Sequence, residues 1–281
     1  MAQSSQFQFK HGVDNYAVFG NPIAHSKSPL IHSLFAQQCG EQLHYQPVLV
    51  EEGDFLSTLQ RFRDEGGRGL NITLPFKGEA FASSDSVSTR ARQAAAVNTI
   101  SIQDDGLIAG DNTDGIGLVM DLQAQGVPLD GCRVVMLGAG GAARGVIGPL
   151  LEQGVSTISI ANRTLSRAEQ LAVLFSEYGE VKAMSYDSLL QVSADVVINA
   201  TSSGLGGERP PLAPATVKGA FCYDMIYGEG SRPFLDWAES QGAGGMADGL
   251  GMLVYQAAEA FYLWRGVRPD ATPVIEQLRS S

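Results

Sequence analysis

Short apolar runs of strand length alternate with stretches of helical spacing through the first third of the chain. Strands are predicted at residues 16–19, 44–50 and 69–73, and helices at residues 28–38 and 55–65. The first helix has Ser28 as its predicted N-cap, with proline at its first helical position. This alternation is typical of one half of an α/β domain.

Residues 1–15 follow neither the helix period nor the strand period, so we predict a loose tail. A helix rich in Ser, Arg and Ala is predicted at residues 84–98, and a hairpin joins strands at residues 99–103 and 107–109. The polar run at residues 110–115 then breaks the pattern. We therefore place a domain boundary after residue 113.

The second half of the chain alternates strand and helix more regularly. Strands are predicted at residues 133–137, 156–161, 181–184, 195–199 and 220–223. Helices are predicted at residues 116–125, from the glycine turn to about residue 153, and at residues 166–178. This order predicts a Rossmann-type, doubly wound sheet.

The last predicted helix is the most clearly amphipathic. Its apolar residues at helical spacing are Leu250, Leu253, Val254, Ala257, Ala258, Phe261 and Trp264. No strand is left for it to pair with, so we expect it to return to the first domain. The predicted fold class is α/β with two α/β domains: a discontinuous one of residues 1–113 and 249–281, and a nucleotide-binding one of residues 114–248.

A glycine-rich turn joins the predicted strand at residues 133–137 to the following helix. The turn consists of Gly138, Ala139, Gly140, Gly141 and Ala142. The free N–H groups at the start of that helix can hold a pyrophosphate. Because a strand precedes the turn and a helix follows it, the motif has the context that dinucleotide binding requires.

The next strand ends where dinucleotide-binding folds contact the adenosine ribose. Proteins that bind NAD carry a carboxylate there, whereas this chain has Asn162, Arg163, Thr164 and Arg167, with no acidic residue before Glu169. Guanidinium groups attract a 2′-phosphate and can bind it through two hydrogen bonds, so the sequence predicts NADP as the cofactor. A surface loop with two solvated arginines is the alternative.

Composition excludes several classes of protein. The chain of 281 residues has 19 basic and 30 acidic residues, and the net charge of −11 disfavours nucleic acid and anionic membranes as partners. The N-terminus lacks the apolar core of a secretion signal, so we expect a cytoplasmic protein. Cys39, Cys132 and Cys222 are far apart and predict neither a disulfide framework nor a metal site.

Four polar stretches interrupt these patterns, at residues 26–28, 71–77, 96–99 and 110–115. In an open α/β sheet, ligands collect at the carboxyl ends of the strands, so these stretches could converge on one side of the domain. Their hydroxyl, amide, lysine and carboxylate groups suit a small ligand with several hydroxyls and a carboxylate. Ordinary turn and cap chemistry is the alternative for single members.

Lys77 and Asp114 are the candidate catalytic residues. Lys77 directly follows the apolar turn at residues 74–76 and so does not belong to a charged face. A lysine paired with Asp114 could pass a proton to or from a hydroxyl while hydride moves at the same carbon. His25 and His32 are interpreted as structural or solvated, and the sequence contains no recognisable Ser-His-Asp arrangement or metal-ligand spacing.

From Tyr16 to its end, the chain resembles the bacterial shikimate dehydrogenase family. The shared stretches are residues 20–29, 71–77, 96–99, 110–115, 137–142 and 161–164, in the family's order. The resemblance implies NADPH-dependent, reversible reduction of 3-dehydroshikimate to shikimate in aromatic amino-acid biosynthesis. It also implies that the discontinuous domain binds the substrate and that the other domain binds NADP.

The resemblance implies roles for individual residues on the substrate side. Ser26 and Ser28 would hold the substrate carboxylate. Residues binding the hydroxyls and ring substituents, beside the catalytic Lys77 and Asp114, would be Thr73, Asn98 and Gln256. Tyr227 would close that pocket.

On the cofactor side, the resemblance implies that the glycine-rich turn holds the pyrophosphate. Residues implied to hold the 2′-phosphate are Asn162, Arg163, Thr164 and Arg167. Met225 and Gly249 would border the nicotinamide. Many members of the family have an acidic residue where this chain has Thr89, which puts one peripheral cofactor contact in doubt.

Three alternatives stay open at this point. The nearest is the same fold acting on quinate as well as shikimate, with NAD or NADP. The chain could also be a nucleotide-sensing binding protein without activity, or a related reductase such as a folate dehydrogenase, although Ser26 and Ser28 favour a small carboxylate ligand. We expect a monomer or a homodimer.

Overall fold

The computed structural model describes residues 7–280. The chain divides into two compact units: the residues up to Thr113 together with those from Gln256 onward, and Asp114–Tyr255. The sequence-based boundary at residue 249 differs from this division, because Gly249 donates a backbone hydrogen bond to Ile226 O at 3.0 Å and so belongs to the second unit.

Strands and helices alternate through the described residues. The strands are β1 (Asp14–Gly20), β2 (Leu43–Leu49), β3 (Gly67–Ile72), β4 (Ser86–Val87), β5 (Thr99–Ile102), β6 (Ile108–Asp111), β7 (Arg133–Leu137), β8 (Thr157–Ala161), β9 (Val181–Met184), β10 (Val196–Asn199), β11 (Phe221–Asp224) and β12 (Gly245–Asp248). The helices are α1 (Ser28–Cys39), α2 (Phe55–Asp64), α3 (Lys77–Ser83), α4 (Thr89–Ala94), α5 (Asp114–Ala124), α6 (Gly141–Glu152), α7 (Leu165–Phe175), α8 (Pro214–Val217), α9 (Arg232–Ser240), α10 (Leu250–Arg265) and α11 (Thr272–Arg279). Short 3₁₀ helices cover Asp187–Gln191, Ser203–Gly206 and Gly228–Ser231.

The sheet of the first unit has the strand order β2-β1-β3-β5-β6-β4 within residues 7–280. β1 is parallel to both β2 and β3, as expected for strands joined by helices. β5 and β6 form the predicted antiparallel hairpin, and β5 pairs antiparallel with β3. The sheet is therefore mixed.

Alternate side chains of β1 point to opposite faces of this sheet, and each face is covered by helices. Phe19 packs against Phe62 of α2, with ring centroids 5.6 Å apart. On the other face, Tyr16 stacks on Trp264 of α10 at 4.6 Å, and the Trp264 indole N–H donates to Ile100 O at 3.0 Å. The predicted return of the last helix to the first sheet is confirmed.

The prediction of a loose N-terminal tail is wrong for residues 7–15. Phe7 is 5% exposed and meets the edge of Phe62 with ring centroids 5.2 Å apart. Gln8 N–H donates to Gln46 Oε1 on β2 at 2.9 Å. Two aromatic residues separated by a single position carry too little periodicity to reveal this packing, and residues 1–6 of the predicted tail lie outside the described residues.

The helix predicted at residues 84–98 is also wrong in its extent. Ser86 pairs with Ala109 of β6, so the chain is extended there. Ser88 accepts the Ala91 N–H at 3.2 Å and caps α4, which ends at the left-handed Ala95 (φ 46°). Hydrogen bonding to the sheet thus overrides the helical composition of this segment.

The sheet of the second unit has the order β12-β11-β10-β7-β8-β9 among the described residues, and its neighbouring strands are parallel. This is the strand order of dinucleotide-binding folds, in which the winding direction reverses between the strands corresponding to β7 and β10. The sequence missed β12, because its short run contains one glycine and one aspartate among four residues.

A buried carboxylate fixes the start of α10 within the second unit. Asp121 of α5 is 1% exposed and accepts a hydrogen bond from the Tyr223 hydroxyl at 2.6 Å. Burial raises the pKa of the Tyr223 phenol well above its usual value, so it stays protonated and donates. Gly251 lies against the Asp121 carboxylate so closely that a Cβ would collide with it.

Among the described residues, no helix has both the length and the apolar character needed to cross a membrane.

We expect Gly251→Ala to lower the free energy of unfolding by about 1–3 kcal/mol, because Asp121 would have to leave Tyr223 to make room for the methyl group. Urea unfolding at neutral pH measures the change. Gly78→Ala is the matched control, because Gly78 is also the second residue of a helix and no atom lies within 4 Å of its added Cβ. That control should be neutral or gain up to about 1 kcal/mol. Equal stability of the two variants would contradict the packing argument.

Candidate active site

Two serine hydroxyls lie at the start of α1. Ser28 is the first residue of the helix, and its N–H donates to Ser26 Oγ at 3.3 Å. The predicted capping role of Ser28 is wrong, because Lys27 precedes the helix and no side chain caps it. Instead, the Ser28 side chain lies beside the Tyr45 hydroxyl and acts to lower the pKa of that phenol, although burial raises it well above its usual value. Hydroxyls beside the N–H groups of a helix start are well suited to binding a carboxylate.

Asn71 is the centre of a buried polar network in the same unit. Its Oδ1 accepts from the Tyr45 hydroxyl at 2.7 Å and lies 3.1 Å from His32 Nε2. Its Nδ2 donates to Thr99 Oγ1 at 3.2 Å. Burial lowers the pKa of His32 to about 3, so this ring is neutral and structural, in agreement with the sequence-based interpretation.

Asn98 continues the network toward α10. Its Oδ1 accepts from the Thr113 N–H at 2.9 Å and from the Thr99 hydroxyl at 2.8 Å. Its Nδ2 donates to Thr113 Oγ1 at 3.1 Å and to Gln256 Oε1 at 3.3 Å. The fold therefore brings Asn98 and Gln256 together although they are far apart in the chain.

Thr73 and Lys77 follow the carboxyl end of β3. Thr73 N–H donates to Phe19 O at 2.9 Å, and the Thr73 methyl fills the space where Gly20 lacks a side chain. Lys77 is half-buried at the start of α3, and its carbonyl accepts the Val97 N–H at 2.9 Å. This hydrogen bond anchors the backbone of Lys77 to Val97, the residue before Asn98.

A second polar cluster, missed by the sequence analysis, holds these elements in place. Arg90 donates to both carboxylate oxygens of Asp111, at 2.7 and 2.9 Å, and to Glu259 Oε1 at 3.1 Å. Burial acts to raise the pKa of Asp111, but the hydrogen bonds and charge of Arg90 outweigh it and the pKa lies below its usual value. Arg90 thereby ties the segment before Thr113 to the helix that carries Gln256.

Asp114 is the first residue of α5 and of the second unit, and it is half-buried. A carboxylate is favoured in the first turn of a helix. The neighbouring Gly115 packs on α6, where an added Cβ would lie 2.5 Å from both Gly145 O and Pro149 Cγ. The position of Asp114 is therefore set by close helix packing.

The glycine-rich turn joins β7 to α6, as the sequence predicts. Gly138 has a φ of 99°, and an added Cβ would lie 3.1 Å from Ala200 O, so both its conformation and its surroundings favour glycine. Gly140 and Gly141 are exposed, and no atom lies within 4 Å of a Cβ added at either. Since α6 begins at Gly141, a phosphate can approach its N–H groups, with exposed Ala142 next in the helix.

Asn162 links this turn to the segment that follows β8. Its Oδ1 accepts the Ala139 N–H at 3.3 Å, and its Nδ2 donates to Thr164 O at 2.8 Å. Arg163 and Arg167 are exposed on either side of the start of α7. An open glycine turn and two exposed guanidinium groups in one unit fit the pyrophosphate and the 2′-phosphate of NADP.

Met225, Gly249 and Tyr227 lie in the segments after β11 and β12. Met225 N–H donates to Asn199 O at 2.9 Å, and Gly249 packs on the Met225 carbonyl so closely that a Cβ would collide with it. Tyr227 is 37% exposed, and partial burial raises the pKa of its phenol. Met225 and Gly249 are thus neighbours in the second unit.

Each unit therefore assembles its own share of the predicted residues. The first unit joins Asn71, Asn98 and Gln256 through one hydrogen-bonded network. Lys77 also belongs to the first unit, whereas Asp114 belongs to the second. Network members that the sequence did not reveal are Tyr45, Asn71, Thr99 and Thr113, and it did not reveal Arg90 of the second cluster. Asn71, Thr99 and Thr113 lie inside its polar stretches, but Tyr45 and Arg90 carry no local signal. Within residues 7–280, no group of three or more His, Cys, Asp or Glu residues is arranged to hold a metal ion.

Three family profiles match consecutive parts of the chain. The Shikimate dehydrogenase substrate binding domain matches residues 18–100. The Shikimate / quinate 5-dehydrogenase profile matches residues 121–205, and the Shikimate 5'-dehydrogenase C-terminal domain matches residues 249–279.

Individual relatives match almost the whole chain. Shikimate dehydrogenase (NADP(+)) of Cellvibrio japonicus is 55% identical over 267 residues, which are 95% of this chain and 97% of that protein. The crystal structure of an Ael1 enzyme from Pseudomonas putida is 47% identical, with a TM-score of 0.90 over 94% of this chain and 98% of that one. Shikimate 5-dehydrogenase from Thermus thermophilus, in complex with NADP(H) and shikimate, is 35% identical, with a TM-score of 0.85 over 95% of this chain and 99% of that one. The chain belongs to the shikimate dehydrogenase family.

Proposed function

We propose that this chain catalyses the NADPH-dependent, reversible reduction of 3-dehydroshikimate to shikimate. The first unit binds the substrate and the second binds NADP. The observation that carries the proposal is the hydrogen-bonded network from Tyr45 to Gln256, whose hydroxyl and amide groups lie in the unit that also has Ser26 and Ser28 at a helix start. A small carboxylate with several hydroxyls is the ligand that such a surface complements.

Ser26 and Ser28 hold the substrate carboxylate at the start of α1. The ring hydroxyls are bound by Thr73, Asn98 and Gln256. This role of Asn98 is supported by the donors and acceptors around its amide, because they fix the orientation of the amide. Tyr227 is a further substrate-binding residue.

The cofactor is held by the carboxyl edge of the second sheet. The pyrophosphate-binding residues are Gly138, Ala139, Gly140, Gly141 and Ala142. Asn162, Arg163, Thr164 and Arg167 hold the 2′-phosphate. Met225 and Gly249 border the nicotinamide.

When bound, NADPH supplies the hydride that goes to the ketone carbon. Lys77 donates the proton to the oxygen of that group, and Asp114 is the second catalytic residue. In the reverse direction Lys77 takes the hydroxyl proton back. The hydrogen bond from Val97 to the Lys77 carbonyl supports this role, because it limits the movement of the lysine backbone relative to Asn98.

The second candidate function is a dehydrogenase that accepts quinate as well as shikimate, with NAD or NADP. It is favoured by the match of residues 121–205 to the Shikimate / quinate 5-dehydrogenase family. Assays of the purified protein with shikimate and quinate, each against NADP and NAD, decide between the two. Turnover confined to shikimate with NADP supports the first proposal, whereas turnover with quinate supports the second. Absence of turnover in every pairing would overturn both.

Lys77→Ala should lower kcat by about 100-fold to 10,000-fold with little change in the KM for shikimate, because the proton contact matters most in the transition state. Steady-state kinetics with NADP and shikimate provide the measurement. Lys182→Ala is the control, since Lys182 lies exposed on β9 beside Glu180. If Lys77→Ala turned over at the wild-type rate, Lys77 would not be the proton donor.

Arg163→Ala should lower kcat/KM for NADPH by about 10-fold to 100-fold and change that for NADH by less than about 3-fold, because only NADPH carries the 2′-phosphate. The comparison uses 3-dehydroshikimate as the common substrate. Arg232→Ala is the matched control, since this exposed arginine of the same unit pairs with Asp236 instead. Equal losses with both cofactors would show that Arg163 does not read the phosphate.

A further inference from the structure

Asp224 is a buried carboxylate that the proposed reaction does not use. It is the last residue of β11 and is 0% exposed. Its pKa is raised to about 6, first because of burial and further because of the charge of Asp248. A buried carboxylate is retained in a fold only when its hydrogen bonds compensate for lost hydration, so its partners indicate what it does.

Both oxygens of Asp224 accept hydrogen bonds from neutral donors. Oδ1 accepts the Ile226 N–H at 2.8 Å, and Oδ2 accepts from Asn199 Nδ2 at 2.8 Å. The other amide atom, Asn199 Oδ1, accepts from Thr201 N–H at 3.1 Å and from the Thr201 hydroxyl at 2.7 Å. Asp224 therefore fixes the ends of β10 and β11 relative to each other.

This arrangement reaches the phosphate-binding turn on one side. The Thr201 methyl and Ala200 O each lie 3.1 Å from the position of a Cβ added at Gly138. The turn at Gly138 is thus packed directly on the segment that Asn199 holds. A change at Asp224 is transmitted through Asn199 and Thr201 to the pyrophosphate side.

On the other side, the arrangement holds the segment that carries Met225. Met225 N–H donates to Asn199 O at 2.9 Å, and Gly249 N–H donates to Ile226 O at 3.0 Å. Gly228 N–H donates to Asp248 Oδ2 at 3.1 Å. Met225 therefore lies on a backbone held at Ile226 by Asp224 and at Gly228 by Asp248.

We propose that Asp224, in its ionised form, is a positioning residue that holds Met225 and the Asn199–Thr201 segment in the arrangement that binds the nicotinamide half of the cofactor. The inference rests on the proposed function, because that function assigns Met225 to the nicotinamide. An ionised carboxylate accepts from Ile226 and Asn199 at once. A protonated one carries a hydrogen on one oxygen, which is then a weaker acceptor, so one of the two hydrogen bonds is weakened.

The direction of the pH effect follows from the form of Asp224 that accepts both hydrogen bonds, which is the ionised form. Asp248 on β12 carries a like charge that raises the pKa of Asp224, and Asn199 on β10 is neutral. Cofactor affinity should therefore fall as the pH falls through about 6. Folding stability should respond in the opposite direction, because a raised pKa means that the folded chain holds this proton more tightly and its contribution is lost as the pH rises.

The test is the Kd for NADPH of the wild type and of Asp224→Asn between pH 5 and pH 8, measured by fluorescence titration without substrate. The asparagine side chain has one acceptor oxygen, so it can satisfy only one of the two donors. We expect about 10-fold weaker binding by the variant at pH 8, and a difference that disappears toward pH 5. The 2′-phosphate of NADPH also titrates near pH 6. Its effect is the same for the wild type and the variant, so it cancels in the ratio of their Kd values.

Two further readouts separate positioning from a general loss of structure. At saturating NADPH, Asp224→Asn should leave the KM for 3-dehydroshikimate unchanged, while the KM for NADPH rises. Asp236→Asn is the matched control, since this exposed carboxylate of α9 pairs with Arg232, and its NADPH affinity should follow that of the wild type at each pH. A constant ratio of Kd values between wild type and Asp224→Asn across the pH range would overturn the inference and leave the proposed function intact.

The wild type alone provides a test if Asp224→Asn does not fold. NADH has no group that titrates near pH 6. A weaker affinity of the wild type for NADH below that pH would therefore come from protonation of the protein, and we expect such a weakening. A flat NADH profile would overturn the inference. Failure of the wild type to bind NADPH at any pH would overturn the inference and the proposed function together.

Discussion

Parallel pairing of β7 with both β8 and β10 is the constraint on which the cofactor side depends. The register sets Leu137 opposite Ala161 on one side and opposite Asn199 on the other. Because all these strands run in the same direction, the segments that follow them emerge at one edge of the sheet. Gly138, Asn162 and the segment after Asn199 meet there for this reason, although they are far apart in the chain. The strand order therefore decides which residues of the second unit are grouped at this edge.

The first unit uses a different device, a chain of buried polar groups with complementary donors and acceptors. Burying amides and hydroxyls is costly unless they are hydrogen-bonded, and Asn71 and Asn98 use both atoms of their amides. A network of this kind permits few alternative arrangements, because rotating one amide would place donor against donor. We therefore regard it as the element that orients the groups available to a substrate.

A chain with a net charge of −11 needs local groups that attract anions if it is to bind anionic ligands. The second unit provides exposed arginines and an open helix start, while its buried carboxylates are held by protein donors. Asp121 accepts from Tyr223, and Asp224 accepts from Asn199 and Ile226. Each carboxylate thus has compensated charge and fixes a backbone segment. The overall negative field is overcome at short range, where hydrogen bonds and helix ends dominate.

Periodicity and turn chemistry determined the α/β class, the parallel second sheet and the glycine turn, because these depend on residues close together in the chain. The same local signals were not enough for the packing of Phe7, the extent of α4 or the existence of β12, where pairing with distant residues decides the conformation. A phosphate-binding role could be predicted for Arg163 from its motif, since that prediction depends on position after a strand. Asp224 could not, because nothing near it in the sequence distinguishes a buried acceptor of two hydrogen bonds from an ordinary strand end. That distinction is made by Asn199, which only the tertiary structure brings beside it.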